Sequence, residues 1–355
     1  MSTKTRIAVI GLGYWGPNLV RNFDEIEHTE LVAIVDRDTT QLEQYKEMYP
    51  HVEVFESHKE LFDLDLDGVV IATPPHTHYF LAKEFLNAGL NVLVEKPLAL
   101  NAEDCEDLIK IADANNRVLM VGHILEYHFA ILHIKAIIDS GELGTIQYIR
   151  AERAGLGRYH HDHNVMWDLA PHDLSVILRL LDAAPTRVSA TGASYTLRHL
   201  GIEDIVNMHL EFPNNTVADI HLSWLNPEKA RGMTIVGSKK MLVFDDIAKE
   251  KIKVFDTGAD LLDNPNKPGG FEIKYRQLDV RVPELNWTEP LRSECEHFAH
   301  CIQDGNDPVS DGLSGLTVVQ IMEAADRSLA YGGAPVDIVP SELQVVLVEK
   351  KRKSL

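Results

Sequence analysis

A glycine-rich turn set between a short apolar strand and the start of a helix restricts this chain more than any other feature. Arg6-Ile-Ala-Val-Ile10 runs into Gly11-Leu-Gly-Tyr-Trp-Gly16, and a helical pattern begins at once. Glycines at this spacing permit a tight turn, let backbone N–H groups approach an anion, and allow the helix to pack closely on the strand. Alone, the spacing fits many turns. Asp36 supplies the second half of the signal: it ends the next strand, Glu30-Leu-Val-Ala-Ile-Val35, where a carboxylate accepts from ribose hydroxyls and repels a ribose phosphate. Strand, glycines, helix and acid together point to a bound nicotinamide dinucleotide, NAD in preference to NADP. Tyr14 and Trp15 lie inside the turn and Arg37 beside the acid, so all three are cofactor-contact candidates. Arg37 pulls the other way on cofactor choice, because a guanidinium also suits a phosphate or an adenine face.

The pattern that follows is that of a parallel sheet covered on both faces. Between residues 6 and 122, short β-branched runs at 6–10, 30–35, 51–55, 68–72, 91–94 and 118–121 alternate with amphipathic helical stretches. After Gly122 the period changes. A helix at 129–140 precedes longer alternating strands at 146–153, 186–194, 205–212, 216–224, 231–237 and 241–245. A helix at 168–181 interrupts them, 257–270 reads as the main loop, and helices at 289–303 and 312–331 close the chain. The expected fold class is α/β, with a Rossmann domain over 1–122 and an α+β domain with a large open, mostly antiparallel sheet over 123–355. A chain of 355 residues suits two cores.

Composition narrows the partners. With 34 basic and 54 acidic side chains the net charge is −20, which repels nucleic acid and acidic membranes. Only Lys350-Lys-Arg-Lys353 concentrates positive charge, and it reads as a solvated terminus. The apolar runs are too short to span a bilayer, no secretory segment is recognisable, and three cysteines without a C-x-x-C pair suit a reducing compartment. The expected location is the cytoplasm.

Three further segments carry chemistry. Thr73-Pro-Pro-His-Thr-His78 and Glu95-Lys-Pro97 both leave strands at the carboxyl edge, where open α/β sheets bind ligands. Thr73, Pro74, His76, His78, Glu95, Lys96 and Pro97 are therefore expected to line the nicotinamide side, with the Lys96 ammonium able to stabilise a developing alkoxide. In Trp167-Asp-Leu-Ala-Pro-His-Asp173, Asp168 and His172 stand four apart. That spacing sets them on one helical face, where the acid can orient an imidazole that takes a hydroxyl proton. Pro171 argues that this is the helix's first turn. The polar run Arg158-Tyr-His-His-Asp-His163 just before it, with Asn164 and Trp167, is expected to reach the substrate, as are His123 and Tyr127 at the domain crossover. Adjacent histidines do not converge on one ion as helical i, i+4 pairs can, so no metal is assigned.

Gly11-x-Gly-x-x-Gly16, Glu95-Lys-Pro97 and Asp168-x-x-x-His172, in this order, resemble the Gfo/Idh/MocA family of sugar and polyol oxidoreductases along essentially the whole chain. The resemblance implies that Lys96 and His172 are catalytic with Asp168 assisting. It further implies that the second domain's open sheet mediates a homodimer or homotetramer. The finer pattern around Gly11–Asn18 and Trp167–Asp173 is similar to members that oxidise the third carbon of a UDP-linked N-acetylhexosamine or its uronate. Oxidation of a free sugar or an inositol, a ketoreductase running in the opposite direction, and a non-catalytic NAD-dependent sensor or scaffold are the alternatives. Lys96, Asp168 and His172 count against the last, since a scaffold needs no acid–base pair.

Overall fold

The structure is a computed structural model that describes residues 4–157, 159–264, 266–341, 343 and 344. The basic tail lies outside them. In chain order the elements are β1 (Thr5–Ile10), α1 (Gly16–Glu25), β2 (Thr29–Val35), α2 (Thr39–Met48), β3 (Glu53–Phe55), β4 (Gly68–Ile71), α3 (His78–Asn87), β5 (Asn91–Glu95), α4 (Ala102–Asn115) and β6 (Leu119–Gly122). Then follow α5 (Phe129–Asp139), β7 (Ile146–Leu156), α6 (Val165–Leu181), β8 (Arg187–Ala193), β9 (Ile205–Glu211), β10 (Val217–Ser223), β11 (Leu225–Gly237) and β12 (Met241–Asp245). The chain closes with β13 (Ile252–Asp263), β14 (Phe271–Arg281), α7 (Pro290–Asp304), α8 (Gly312–Ala330) and β15 (Val336–Asp337). Among the described residues no helix is long and apolar enough to cross a membrane.

The first compact unit takes in the described residues up to His128, Thr288–Glu323 and those from Pro340 on. Its six strands are parallel in the order β3-β2-β1-β4-β5-β6, so the order reverses between β1 and β4. At that switch point the loops after the strands part and leave a crevice. The core joins Ile7, Val9, Ile34, Val70 and Leu93 of the sheet to Leu19 and Phe23 of α1 and to Leu291, Cys295 and Phe298 of α7. Phe23 meets Phe298 edge-on, with ring centroids 6.5 Å apart. The expected division at 122/123 therefore differs from the compact units in three places: the chain passes over at His128, Thr288–Glu323 with α7 returns to the first unit, and so do the described residues from Pro340 on. Periodicity reveals that α7 is amphipathic. It does not reveal which sheet the apolar face covers.

The second unit comprises Phe129–Trp287 and Ala324–Val339. Its nine strands run β14-β13-β12-β11-β7-β10-β9-β8-β15, and apart from the parallel β7–β10 pair every neighbour is antiparallel. One face is covered: Val206, Met208, Leu210, Ala218, Ile220 and Leu222 are buried, and α6 packs there against β7, β9 and β10. Residues of opposite parity, such as Asn207 and His221, turn away from it.

Two expectations need correction. Residues 257–270 are not one loop: 257–263 belong to β13, and the turn of the β13–β14 ribbon lies between Asp263 and Phe271. Gly258, Asp260 and Asp263 lower strand propensity, but cross-strand pairs such as Leu261–Ile273 and the reach of Arg276 to Asp256 and Asp260 hold the ladder. Pro171 lies in the second turn of α6 rather than the first. Asn164 starts the helix earlier, its side chain accepting from the Met166 and Trp167 N–H groups at 3.2 Å each. Pro171 then forfeits one i→i−4 bond within it.

Candidate active site

The three turn glycines serve different ends. Gly11 sits at φ +100°, and a Cβ there would lie 2.6 Å from the Ala72 carbonyl oxygen. A Cβ at Gly16 would lie 1.8 Å from the Gly11 carbonyl oxygen. The fold itself demands both glycines. A Cβ on Gly13 would meet nothing within 4 Å, and this open cradle at the N-terminus of α1 has the place and polarity to receive a pyrophosphate.

Asp36, at the end of β2, anchors the turn: its carboxylate accepts the Leu12 N–H at 2.5 Å through one oxygen and the Asp38 N–H at 2.9 Å through the other. Each oxygen keeps a lone pair for a ribose hydroxyl. Arg37 and Tyr14 are exposed. The residues present thus fit a dinucleotide.

At the carboxyl ends of β4 and β5 the two motif histidines part company. His76 is exposed, whereas His78 is buried with Nδ1 2.8 Å from the Pro97 carbonyl oxygen and Nε2 2.8 Å from that of Thr73. Both ring nitrogens are taken up by the protein, so His78 ties the β4 exit to the Lys96–Pro97 segment rather than facing a ligand. Burial pushes its pKa down, and a neutral ring donates to one carbonyl at a time. Thr73 Oγ1 meets Thr77 Oγ1 at 2.6 Å, and Pro74 leads into a short 3-10 turn. The Lys96–Pro97 bond is cis. Glu95 packs its carboxylate against Gly122, where a Cβ would come within 3.0 Å, and accepts a side-chain hydrogen bond from Trp15. Burial pushes its pKa up to about 7, against the pull of Lys96 and Trp15.

His123 and Tyr127 both lie inside the first unit. His123 is buried and its pKa is pushed down to about 3 by that burial, with Lys96 adding to the shift. Tyr127 is buried too, its hydroxyl 2.9 Å from Ser310 Oγ, so it serves the core of this unit.

In the second unit α6 carries the other motif. Asn164 caps it and donates to Glu203 at 3.0 Å, and Trp167 Nε1 donates to Asp326 at 2.8 Å. Asp168 accepts from Trp224 Nε1 at 3.0 Å, and His172 stands one turn further on the same face. Trp224 was not singled out from the sequence, yet it is the hub of this corner. Its indole N–H holds Asp168, and its ring meets Tyr159 edge-on at 5.4 Å and His160 at 5.8 Å. Gly157 is required beside it, because a Cβ there would come 2.5 Å from the indole. The readable signal was a lone tryptophan closing an alternating strand.

Arg158 lies outside the described residues. His160 and His163, three residues apart in this loop, stack their rings with centroids 4.3 Å apart. With Asp162, which pairs with His163 at 2.9 Å, their ligand atoms lie within 4.8 Å of one another.

Comparison with known proteins agrees with this arrangement. Residues 5–123 match an oxidoreductase family described by its NAD-binding Rossmann fold, and residues 131–243 match the GFO/IDH/MocA C-terminal domain. UDP-N-acetylglucosamine 3-dehydrogenase of Acidithiobacillus ferrooxidans is 27% identical over 320 residues, covering 88% of this chain and 94% of the relative. A solved structure of that enzyme superposes with a TM-score of 0.78 at 26% identity, covering 93% of this chain and 99% of the other. The scyllo-inositol 2-dehydrogenase (NAD(+)) of Bacillus subtilis is 23% identical over 349 residues, covering 94% and 96%. With both domains matched and the parallel sheet, glycine turn and open sheet in place, the chain belongs to the GFO/IDH/MocA family of NAD-binding oxidoreductases.

Proposed function

We propose that this protein is an NAD-dependent dehydrogenase that oxidises a secondary hydroxyl of a pyranose, the 3-hydroxyl of a UDP-linked N-acetylhexosamine or its uronate, to a keto sugar. The observation that carries the chemistry is Lys96 at the carboxyl end of β5, in the unit that also holds the Gly13 cradle and Asp36. Oxidation removes a hydride from carbon and a proton from oxygen, leaving a carbonyl. The dinucleotide, when bound, supplies the hydride acceptor. Lys96 stabilises the negative charge that grows on the oxygen. His172 accepts the hydroxyl proton, and Asp168, fixed by Trp224, supports the imidazole. Asp36 favours NAD over NADP because its charge repels a ribose phosphate. The choice of sugar is supported by the similarity to the UDP-N-acetylglucosamine 3-dehydrogenase.

A second reading, a polyol or free-sugar dehydrogenase, is favoured by the full-length similarity to scyllo-inositol 2-dehydrogenase. Purified protein incubated with NAD and a panel of UDP-sugars, free hexoses and inositols separates the two. NADH formation is expected with a UDP-N-acetylhexosamine or its uronate; where a 2-keto acid is added to reoxidise the bound NADH, keto sugar and 2-hydroxy acid are expected in equal amounts instead. Turnover of inositols alone would replace the first reading by the second, and no turnover with any of them would sink both. We further infer that the uncovered face of the nine-stranded sheet, which presents Tyr148, Arg150, His209 and His221, mediates self-association. Light scattering on the purified protein would return a monomer mass if this is wrong.

A further inference from the structure

A layer of acidic side chains in the first unit is used by none of the chemistry above. Glu294, on α7, is fully buried, and neither carboxyl oxygen has a hydrogen-bond donor. Glu126, in the 3-10 turn after β6, is buried as well, and Glu95 closes the layer from the end of β5. His123 is buried and kept neutral, and burial holds the Tyr127 hydroxyl and the Cys295 thiol protonated. Arg21 of α1 pairs with Glu289 and Glu25, and Arg292 of α7 with Glu296 and Glu25. A carboxylate with no donor and no cation in such a place carries a desolvation cost of several kcal/mol, which the group avoids by keeping its proton.

We propose that Glu294 is held as a neutral carboxylic acid and acts as a positioning residue for Lys96, because its neutrality leaves Glu95 free to be the anion that faces Lys96 and Trp15. Glu95 and Glu294 repel one another as anions, so both ionise only at a cost. Glu95 is the one that ionises, since Lys96 and the Trp15 N–H favour its anion. Burial, with Glu95 and Glu126 adding to it, pushes Glu294 well above the usual carboxylate range. Ionising Glu294 at alkaline pH would add a further negative charge to the layer and compete with Glu95 for the Lys96 ammonium. The linkage has a definite sign: both folded-state values are raised, so the stability these groups contribute is full below about pH 4.5 and is lost as pH rises through the folded values.

The role at Lys96 rests on the function proposed above; the protonation state does not, and the experiment separates them. Glu294→Gln preserves shape and neutrality. Infrared difference spectra of the cofactor-free protein at neutral pH should show a protonated-carboxyl band that the variant lacks. The variant should melt with the parent at about pH 4 and increasingly above it as pH rises from there. Glu294→Met should fold too, since no partner loses a bond. In NAD titrations the parent's alkaline loss of affinity should move upward by about one pH unit or more in Glu294→Gln, with the plateau unchanged. No missing band, together with a lower melting temperature at about pH 6, would mean that Glu294 is ionised, and would overturn the proposal. A missing band with an unmoved affinity profile would reduce Glu294 to a structural residue and overturn its positioning role.

Discussion

In the second unit Arg153 and Asp173 are both buried and meet through two hydrogen bonds of 2.8 and 3.0 Å. In the first unit Glu294 is at least as deeply buried and has no donor at all. The pair keeps both charges despite desolvation, because each ion finds a bidentate partner, and Asp173 holds the Arg153 guanidinium charged against the pull of burial. The lone acid keeps its proton instead. A similar contrast separates one motif acid of each unit. Asp168 is held by the Trp224 N–H, whereas burial governs Glu95 and lifts it to about 7. Burial thus governs the acid of the first unit, while a donated hydrogen bond holds the acid of the second in place.

Four substitutions test that contrast, in descending order of effect. Lys96→Met should lower kcat by about 10³-fold or more while dinucleotide affinity, read by fluorescence titration, stays near that of the parent; near-normal turnover would remove Lys96 from the chemistry. Arg153→Met should cost about 3–5 kcal/mol in denaturant unfolding, because it strands Asp173 as a buried unpaired charge. A loss under about 1 kcal/mol would show that the second unit also tolerates bare acids.

Glu95→Gln works in the opposite sense. Glu95 binds its proton more tightly folded than unfolded, so its contribution declines from about pH 4.5 to about 7. The variant should therefore gain stability relative to the parent across that window, by up to a few kcal/mol at pH 8. A constant difference at every pH would mean that exclusion of water does not set this acid. Trp224→Phe is the mildest. Losing the indole N–H should lower kcat by about tenfold, at a hydrogen-bond cost of about 1–2 kcal/mol, with NAD affinity unaltered. An unchanged kcat would detach Asp168's tether from catalysis.

How far these features could be read beforehand follows the range of the interactions behind them. The six parallel strands and the glycine turn were legible because β-branched runs, helix starts and Gly11–Gly16 are local signals. The Asp168–His172 spacing was legible for the same reason. The β13–β14 ribbon was not, since Gly258 and Asp260 discourage a strand and only the partner strand holds it in place. His78 and Tyr127 looked like site residues because their positions follow strand ends; the carbonyls of Thr73 and Pro97 and the hydroxyl of Ser310, distant in sequence, take them for the fold. Trp224 and Glu294 escaped notice because their importance lies in which acid each stands beside.

The return of α7 to the first unit has a consequence for synthesis. Phe23 and the apolar side of β1 and β4 emerge early from the ribosome, but Leu291, Cys295 and Phe298, which complete their core, are added only near the end of the chain. At about 5–20 residues per second, the dinucleotide-binding half waits on the order of ten seconds for its last wall. Throughout that interval the nascent chain offers a sticky face to chaperones, and the eight strands of the second sheet made in between must assemble without capturing it.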